Sequence, residues 1–223
     1  MASPLEILTF VDPMFQENTF LLYDRPEGHA CVVDPGLPPQ ADLVQKALSA
    51  HRLTLTHILL THGHGDHIVG AAQLKRDNPG AKVCIAEADA PMLNDPQLNL
   101  SAAFATPISL GLENDGDLVP GLTLVLAGAD WRVLDTSGHT PGGRSFHCPA
   151  HNLVIVGDAL FRGGVGRTDF PGGDPFRLMA NIQKHLLTLG DATGVLCGHG
   201  PATTIGVERR NNPFLIRPNA PAR

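Results

Sequence analysis

Apolar residues along this chain fall mostly in short β-branched runs between Gly, Pro and Asp turns, a pattern that predicts strands. The runs are Leu5–Val11, Thr19–Tyr23, Ala30–Asp34, Thr56–Leu60, Lys82–Ala86, Leu122–Leu126, Arg132–Asp135, Arg144–His147, Leu153–Val156 and Gly194–Cys197. Three stretches change to helical period. Pro39–His51 puts Leu43, Val44, Ala47 and Leu48 on one face, and Ile68–Arg76 groups Val69, Ala72 and Leu74. Pro175–Leu189 is the clearest: Asp174 is its N-cap, Pro175 opens it, Gly190 stops it, and Phe176, Met179, Ile182, Leu186 and Leu189 form its apolar face. Strands come first, then strands alternating with helices, then strands again. That order predicts an α/β chain of layered α+β type, with sheets stacked against helices.

Composition narrows the picture. The 223 residues are 43% hydrophobic and 17% charged, too apolar for a disordered chain and large enough for a proper core. They read as a single domain over 1–216 with a frayed tail over 217–223, the segment RPNAPAR. The longest uncharged apolar stretch, Leu118 to Ala129, is broken by Pro120 and Gly121 and is too short for a membrane span. The opening MASPLEILTF lacks the basic start of a secretory signal. A net charge of −6 argues against a nucleic-acid partner. Four scattered cysteines form no CxxC pair; Cys31, Cys84 and Cys197, in strand-like runs, read as small buried hydrophobes, and free thiols fit a reducing cytoplasm.

Eleven histidines are many for this length, and their placement changes the reading. Thr61-His62-Gly63-His64-Gly65-Asp66-His67 contains an HxHxDH spacing with a chance probability on the order of 0.002 for this composition. It follows the apolar run Ile58–Leu60, so it lies just past the C-terminal end of a strand, where open α/β sheets place their sites. His62 and His64, two apart, can clasp one cation, and the glycines let the backbone bend so that Asp66 and His67 reach a second. His139, Asp158 and His199 each follow another apolar run and stand beside a glycine. Packing these side chains at a sheet edge without a metal would leave polar groups needing partners. The isolated His29, His51, His57, His147, His151 and His185 read as ordinary solvated or core residues.

On these residues the chain resembles the metallo-β-lactamase fold superfamily. HxHxDH, Gly138-His139-Thr140-Pro141-Gly142, Gly157-Asp158 and Gly198-His199-Gly200 occur in that family's order. Gly157-Asp158-Ala159-Leu160-Phe161, the run Gly166-Arg167-Thr168-Asp169-Phe170 and the ending from Gly198 to Leu215 resemble the small glyoxalase II-like hydrolases. The resemblance implies a four-layer αββα sandwich with two divalent metal ions at one edge. His62, His64 and His139 would hold one ion, Asp66, His67 and His199 the other, and Asp158 would bridge them. Imidazole and oxygen ligands suit Zn(II), Fe(II) or Mn(II), with zinc favoured. The implied partner is a small-molecule thioester, S-D-lactoylglutathione, cleaved to glutathione and D-lactate, with Asp66 orienting the nucleophile or accepting its proton.

Around these ligands, Thr61, Asp34 and Thr140 are placed to hydrogen-bond the imidazoles. Asp34 reads equally as a turn residue in Asp34-Pro35-Gly36. Two-domain glyoxalase II enzymes hold glutathione with basic residues of a C-terminal helical domain, whereas this sequence ends 24 residues after His199. Arg167 is then the candidate cation for a substrate carboxylate, with an ordinary loop salt bridge as its other reading. A mononuclear-iron persulfide dioxygenase shares the sandwich and a similar GRTDF stretch, but the GHGP and TTIG runs here favour a hydrolase. A lactonase would use the same attack on an ester carbonyl.

Overall fold

The computed structural model describes residues 5–25, 28–103 and 106–216. The expected tail lies outside the described residues. In chain order the first sheet is built from β1 (Leu5–Val11), β2 (Asn18–Asp24), β3 (His29–Val33), β4 (Thr54–Leu59), β5 (Lys82–Ile85) and β6 (Gly116–Asp117), paired in that order. Pairing is antiparallel through β1, β2 and β3 and parallel from β3 onward. Parallel strands need crossovers, and the helices α1 (Gln40–His51), α2 (Gly65–Ile68) and α3 (Gly70–Asp77) lie in two of them. The second sheet contains β7 (Thr123–Leu126), β8 (Ala129–Asp135), β9 (Arg144–Cys148) and β10 (Leu153–Gly157). A hairpin of β11 (Leu160–Phe161) and β12 (Gly164–Val165) and the helix α4 (Pro175–Asn181) intervene before β13 (Gly194–Cys197) and β14 (Thr203–Thr204). The order across this sheet is β14-β13-β10-β9-β8-β7. Helices α5 (Ile205–Asn211) and α6 (Pro213–Ile216) follow.

The strand pleat explains the layering. In β2 all seven residues are buried, but Leu21 and Tyr23 face one core while Phe20 and Leu22 face another. β3 divides the same way, Ala30 and Val32 against Cys31 and Val33. Such strands are covered on both faces, so they read as continuous apolar runs. One core lies between the first sheet and the helices, with Val44, Leu48, Ile68, Ala71 and Leu74 supplying the helical side. A second joins the two sheets through Trp131, Val133, Phe146 and Ile155. A third packs Leu178, Ile182, Leu186 and Ile205 onto Val154, Val156 and Val195. The layers therefore run helix, sheet, sheet, helix, and the αββα expectation is met.

Three local readings differ. The buried side of the second helical stretch is Ile68, Ala71 and Leu74, while Val69 and Ala72 are half-buried, because the chain forms two short helices there. The capped helix begins as expected, with Asp174 accepting from the backbone N–H groups of Phe176 and Arg177, but Ile182–Leu186 widens to a π-turn. Its buried arc runs Leu178, Ile182 and Leu186, and Phe176, about 200° round from Leu178, is 86% exposed. All four cysteines are free and buried. Among the described residues no helix is long and apolar enough to cross a membrane.

Candidate metal centre

Five strands end at one rim of the sandwich, and each delivers a polar side chain to it. Asp34 follows β3, the His62–His67 stretch follows β4, His139 follows β8, Asp158 follows β10 and His199 follows β13. Ligand-type atoms of His62, His64 and His139 lie within 4.8 Å of one another, as do those of Asp66, His67 and His199. Asp158 stands between the groups: Oδ1 is 3.4 Å from His67 Nε2, and Oδ2 is 3.5 Å from His139 Nε2 and 3.6 Å from His199 Nε2. All seven side chains singled out in the sequence converge.

Hydrogen bonds behind the imidazoles fix which nitrogens face inward. Thr61 Oγ1 donates to Asp34 Oδ2 at 2.6 Å, so its lone pair receives His62 Nδ1–H at 3.0 Å. His67 Nδ1 donates to the same Asp34 oxygen at 3.1 Å. His139 Nδ1 donates to the Arg167 carbonyl at 2.6 Å, and His199 Nδ1 to the Phe15 carbonyl at 2.8 Å. Each of these rings therefore turns its Nε2 to the centre. His62 Nε2, His64 Nε2 and Asp158 Oδ1 are buried without a hydrogen-bond partner. Orphaned buried acceptors are costly; a cation in the first cluster would satisfy His62 Nε2 and one in the second Asp158 Oδ1, while His64 turns Nδ1 to the centre, 2.9 Å from His139 Nε2. The donor set thus fits metal ions, and this His-rich centre supports divalent-metal binding.

The electrostatics agree. Burial pushes His62 well below the ordinary imidazole range, and burial beside His139 brings His64 down to about 3, so both rings are neutral, as a ligand must be. Burial opposes charge on Asp158, yet His67, His199 and His139 hold it well below the usual carboxylate range. Asp66 is likewise held low against burial by His67 and His199.

The surrounding residues divide. Thr61 and Asp34 hydrogen-bond the imidazoles of His62 and His67. Thr140 does not: its hydroxyl donates to Asp89 Oδ2 at 2.7 Å. Asp89, unnoticed in the sequence, is fully buried and also accepts from Gly63 N at 3.2 Å and Gly142 N at 2.6 Å. It therefore ties the HxHxDH loop to the His139 loop. The signal was present, since Asp89 lies just past the end of β5 as the other site residues lie past theirs. Glu17 was also missed. It is fully buried, its Oε1 has no hydrogen-bond partner, and that atom lies 4.0 Å from His67 Nδ1. Arg167 lies in the wall of a cleft of about 500 Å³ beside the centre, bonded through Nε and Nη2 to Asp169 at 2.7 and 2.6 Å.

Comparison with known proteins places this geometry. The model of the metallo-beta-lactamase superfamily matches residues 12–199. The chain is 37% identical over 202 residues to the protein named hydroxyacylglutathione hydrolase GloC of Haemophilus influenzae, covering 90% of this chain and 93% of that one. Among solved structures it is similar to BLEG-1 B3 metallo-beta-lactamase, with 34% identity, a TM-score of 0.87 and coverage of 95% and 99%. It is similar also to TTHA1623 in a di-iron-bound form, with 35% identity, a TM-score of 0.82 and coverage of 93% and 100%.

Proposed function

We propose that this chain, which belongs to the metallo-beta-lactamase superfamily, is a dinuclear metal-dependent hydrolase of thioesters, with S-D-lactoylglutathione the substrate to test first. The observation that carries the two-ion reading is the convergence of seven donors with Asp158 reaching both clusters. A single iron held by two His and one Asp would leave four of these donors without a task. His62, His64 and His139 would hold one ion, Asp66, His67 and His199 the other, and Asp158 both; zinc, iron and manganese all suit such ligands. When bound, the ions supply water acidified into the neutral range and Lewis-acid polarisation of a carbonyl.

The chain's own residues do the rest. Asp66 Oδ2, 3.3 Å from His199 Nε2 at the mouth of the centre, accepts the hydrogen bond that aims the attacking water. A C–O bond forms, the C–S bond breaks, and the water's protons end on the released acid, the thiolate or solvent. Beyond the centre itself the described cleft lining is Phe15, Leu100, Phe161, Val165, Phe170 and Arg167, which offers no side chain suited to protonating a leaving group at neutral pH. A thiolate needs none, whereas an alkoxide or amide does.

Elemental analysis together with S-D-lactoylglutathione turnover before and after chelation tests this reading. About two ions per chain, and turnover lost on chelation and regained on adding metal back, are expected. A protein carrying both ions that leaves the thioester intact overturns it. Nitrocefin belongs in the same assay because of the similarity to a structure titled a B3 metallo-beta-lactamase; preferred turnover of that lactam would favour the cyclic-amide reading.

A further inference from the structure

The cleft beside the metal centre has a chemical character that the ligand set does not explain. Its volume, about 500 Å³, is that of a small-molecule site. One side is the imidazole and carboxylate face already described. Apart from Arg167, the other walls are apolar and stand directly against that face. The ring of Phe170 meets His64 edge-on at 5.9 Å, and the ring of Phe161 meets His199 edge-on at 6.1 Å, one aromatic ring beside each ligand cluster. Phe15, Leu100 and Val165 complete the lining. A carbonyl brought to the centre therefore has hydrophobic surface on both flanks.

Away from the metal centre, side-chain positive charge is scarce there. Arg167 is the one Lys or Arg among the described lining residues. Its guanidinium engages both oxygens of Asp169 and lies 3.9 Å over the Phe170 ring. A substrate carboxylate would have to displace a bidentate partner only two residues away in sequence, whereas the stacked arrangement presents a flat, charge-compensated surface.

We propose that the cleft selects acyl thioesters by apolar contact with the groups flanking the carbonyl, and that its substrate class is thioesters of aliphatic or aromatic acyl groups on thiols that need carry no carboxylate. This rests on the thioester reading above and adds to it what holds the substrate. Glutathione is then one acceptable thiol among several, held weakly.

The experiment compares metal-loaded enzyme on acetyl, butanoyl and hexanoyl thioesters of N-acetylcysteamine, which is uncharged, and of glutathione. kcat/KM should rise by about two- to fourfold per added methylene, the ratio for burying one CH2. Exchanging glutathione for N-acetylcysteamine should change it by less than about threefold. Phe170→Ala should flatten the chain-length series while the enzyme keeps its bound metal. A flat series in the parent enzyme, or a tenfold loss on removing the glutathione carboxylates, overturns the proposal while leaving thioester hydrolysis intact. Calorimetry with the inert thioethers S-hexyl-N-acetylcysteamine and S-methylglutathione reads the cleft without catalysis. Tighter binding of the first supports the proposal even if no thioester is turned over, and tighter binding of the second refutes it.

Discussion

His67 and His199 face each other with their Nε2 atoms 3.0 Å apart, while each gives its Nδ1 proton to an acceptor behind it, Asp34 Oδ2 or the Phe15 carbonyl. Two lone pairs at that distance repel unless a proton or a cation lies between them. Burial opposes charge on His67, but Asp158 and Asp66 outweigh it and hold its pKa well above the ordinary imidazole value, so the nearby carboxylates favour a positive species at this point. A divalent ion answers that demand better than a proton because it serves both rings and Asp66 together. Chelation should therefore lower thermal stability as well as remove activity, with Tm falling by several degrees and recovering on metal addition. An unchanged Tm in scanning calorimetry would show that the rim holds together without ions.

The position of Asp158 depends on a residue with no side chain. A Cβ at Gly198 would overlap Asp158 Oδ1 and the Gly157 backbone, and the Gly198 N–H is already committed to the Gly157 carbonyl at 2.8 Å. The local backbone cannot retreat, so Gly198→Ala must push the Asp158 carboxylate off its line between the clusters. About one ion per chain in place of two, and a 10- to 100-fold loss of turnover, should follow, the scale on which displaced metal-site geometry is felt. Elemental analysis showing two ions with parent activity would mean that Asp158 does not bridge.

How far the site could be read from sequence depends on how each residue is recruited. The seven converging donors lie within short glycine-flanked words just past apolar runs, so sequence alone exposes them. Asp89 acts through hydrogen bonds to Gly63, Thr140 and Gly142, contacts that exist only once two distant loops are folded together. Thr140 was misread for the same reason: its neighbour in sequence is His139, but its partner in space is Asp89. Strands were legible because both faces of β2 and β3 are covered and their runs are continuous. Phe176 misled because a helix's first turn can carry an apolar residue outside its buried arc. The hairpin of β11 and β12 and the helix α5 were not anticipated, since two-residue strands and a seven-residue helix carry too little periodicity to read.

Asp89 holds three donors from two loops inside the protein, and burial raises its pKa against the pull of Thr140, Gly142 and Gly63. Asp89→Ala orphans those donors and loosens the His139 loop from the HxHxDH loop. Urea unfolding should show a loss of about 2–4 kcal/mol, in the range for a broken buried network. Asp89→Asn keeps one oxygen for Gly63 and Thr140 but sets an amide N–H against the Gly142 N–H, so it should lose less stability than Ala. The absorption bands of a cobalt-loaded enzyme report on the tilt of His139 and His64, and both variants should shift them. Unshifted bands with lowered stability would make Asp89 a plain structural carboxylate.

Glu17 supplies the pH dependence. Burial drives its pKa from 4.5 up to about 10, with Asp34, Asp66 and Asp158 adding to the rise and His67 opposing it. Because the folded value lies above the unfolded one, its contribution to stability is complete below about pH 4.5 and is lost as pH climbs toward 10. Across that window the unfolded chain gives up a proton that the folded chain keeps. Glu17→Gln preserves the shape and removes the titration. In chelated protein, the stability of the parent minus that of Glu17→Gln should fall between pH 5.5 and 8.5, by at most about 1.4 kcal/mol per unit. Denaturant melts giving a difference constant over that range would show Glu17 ionised in the fold, paired to His67 as a charge and not buried beneath it as an acid.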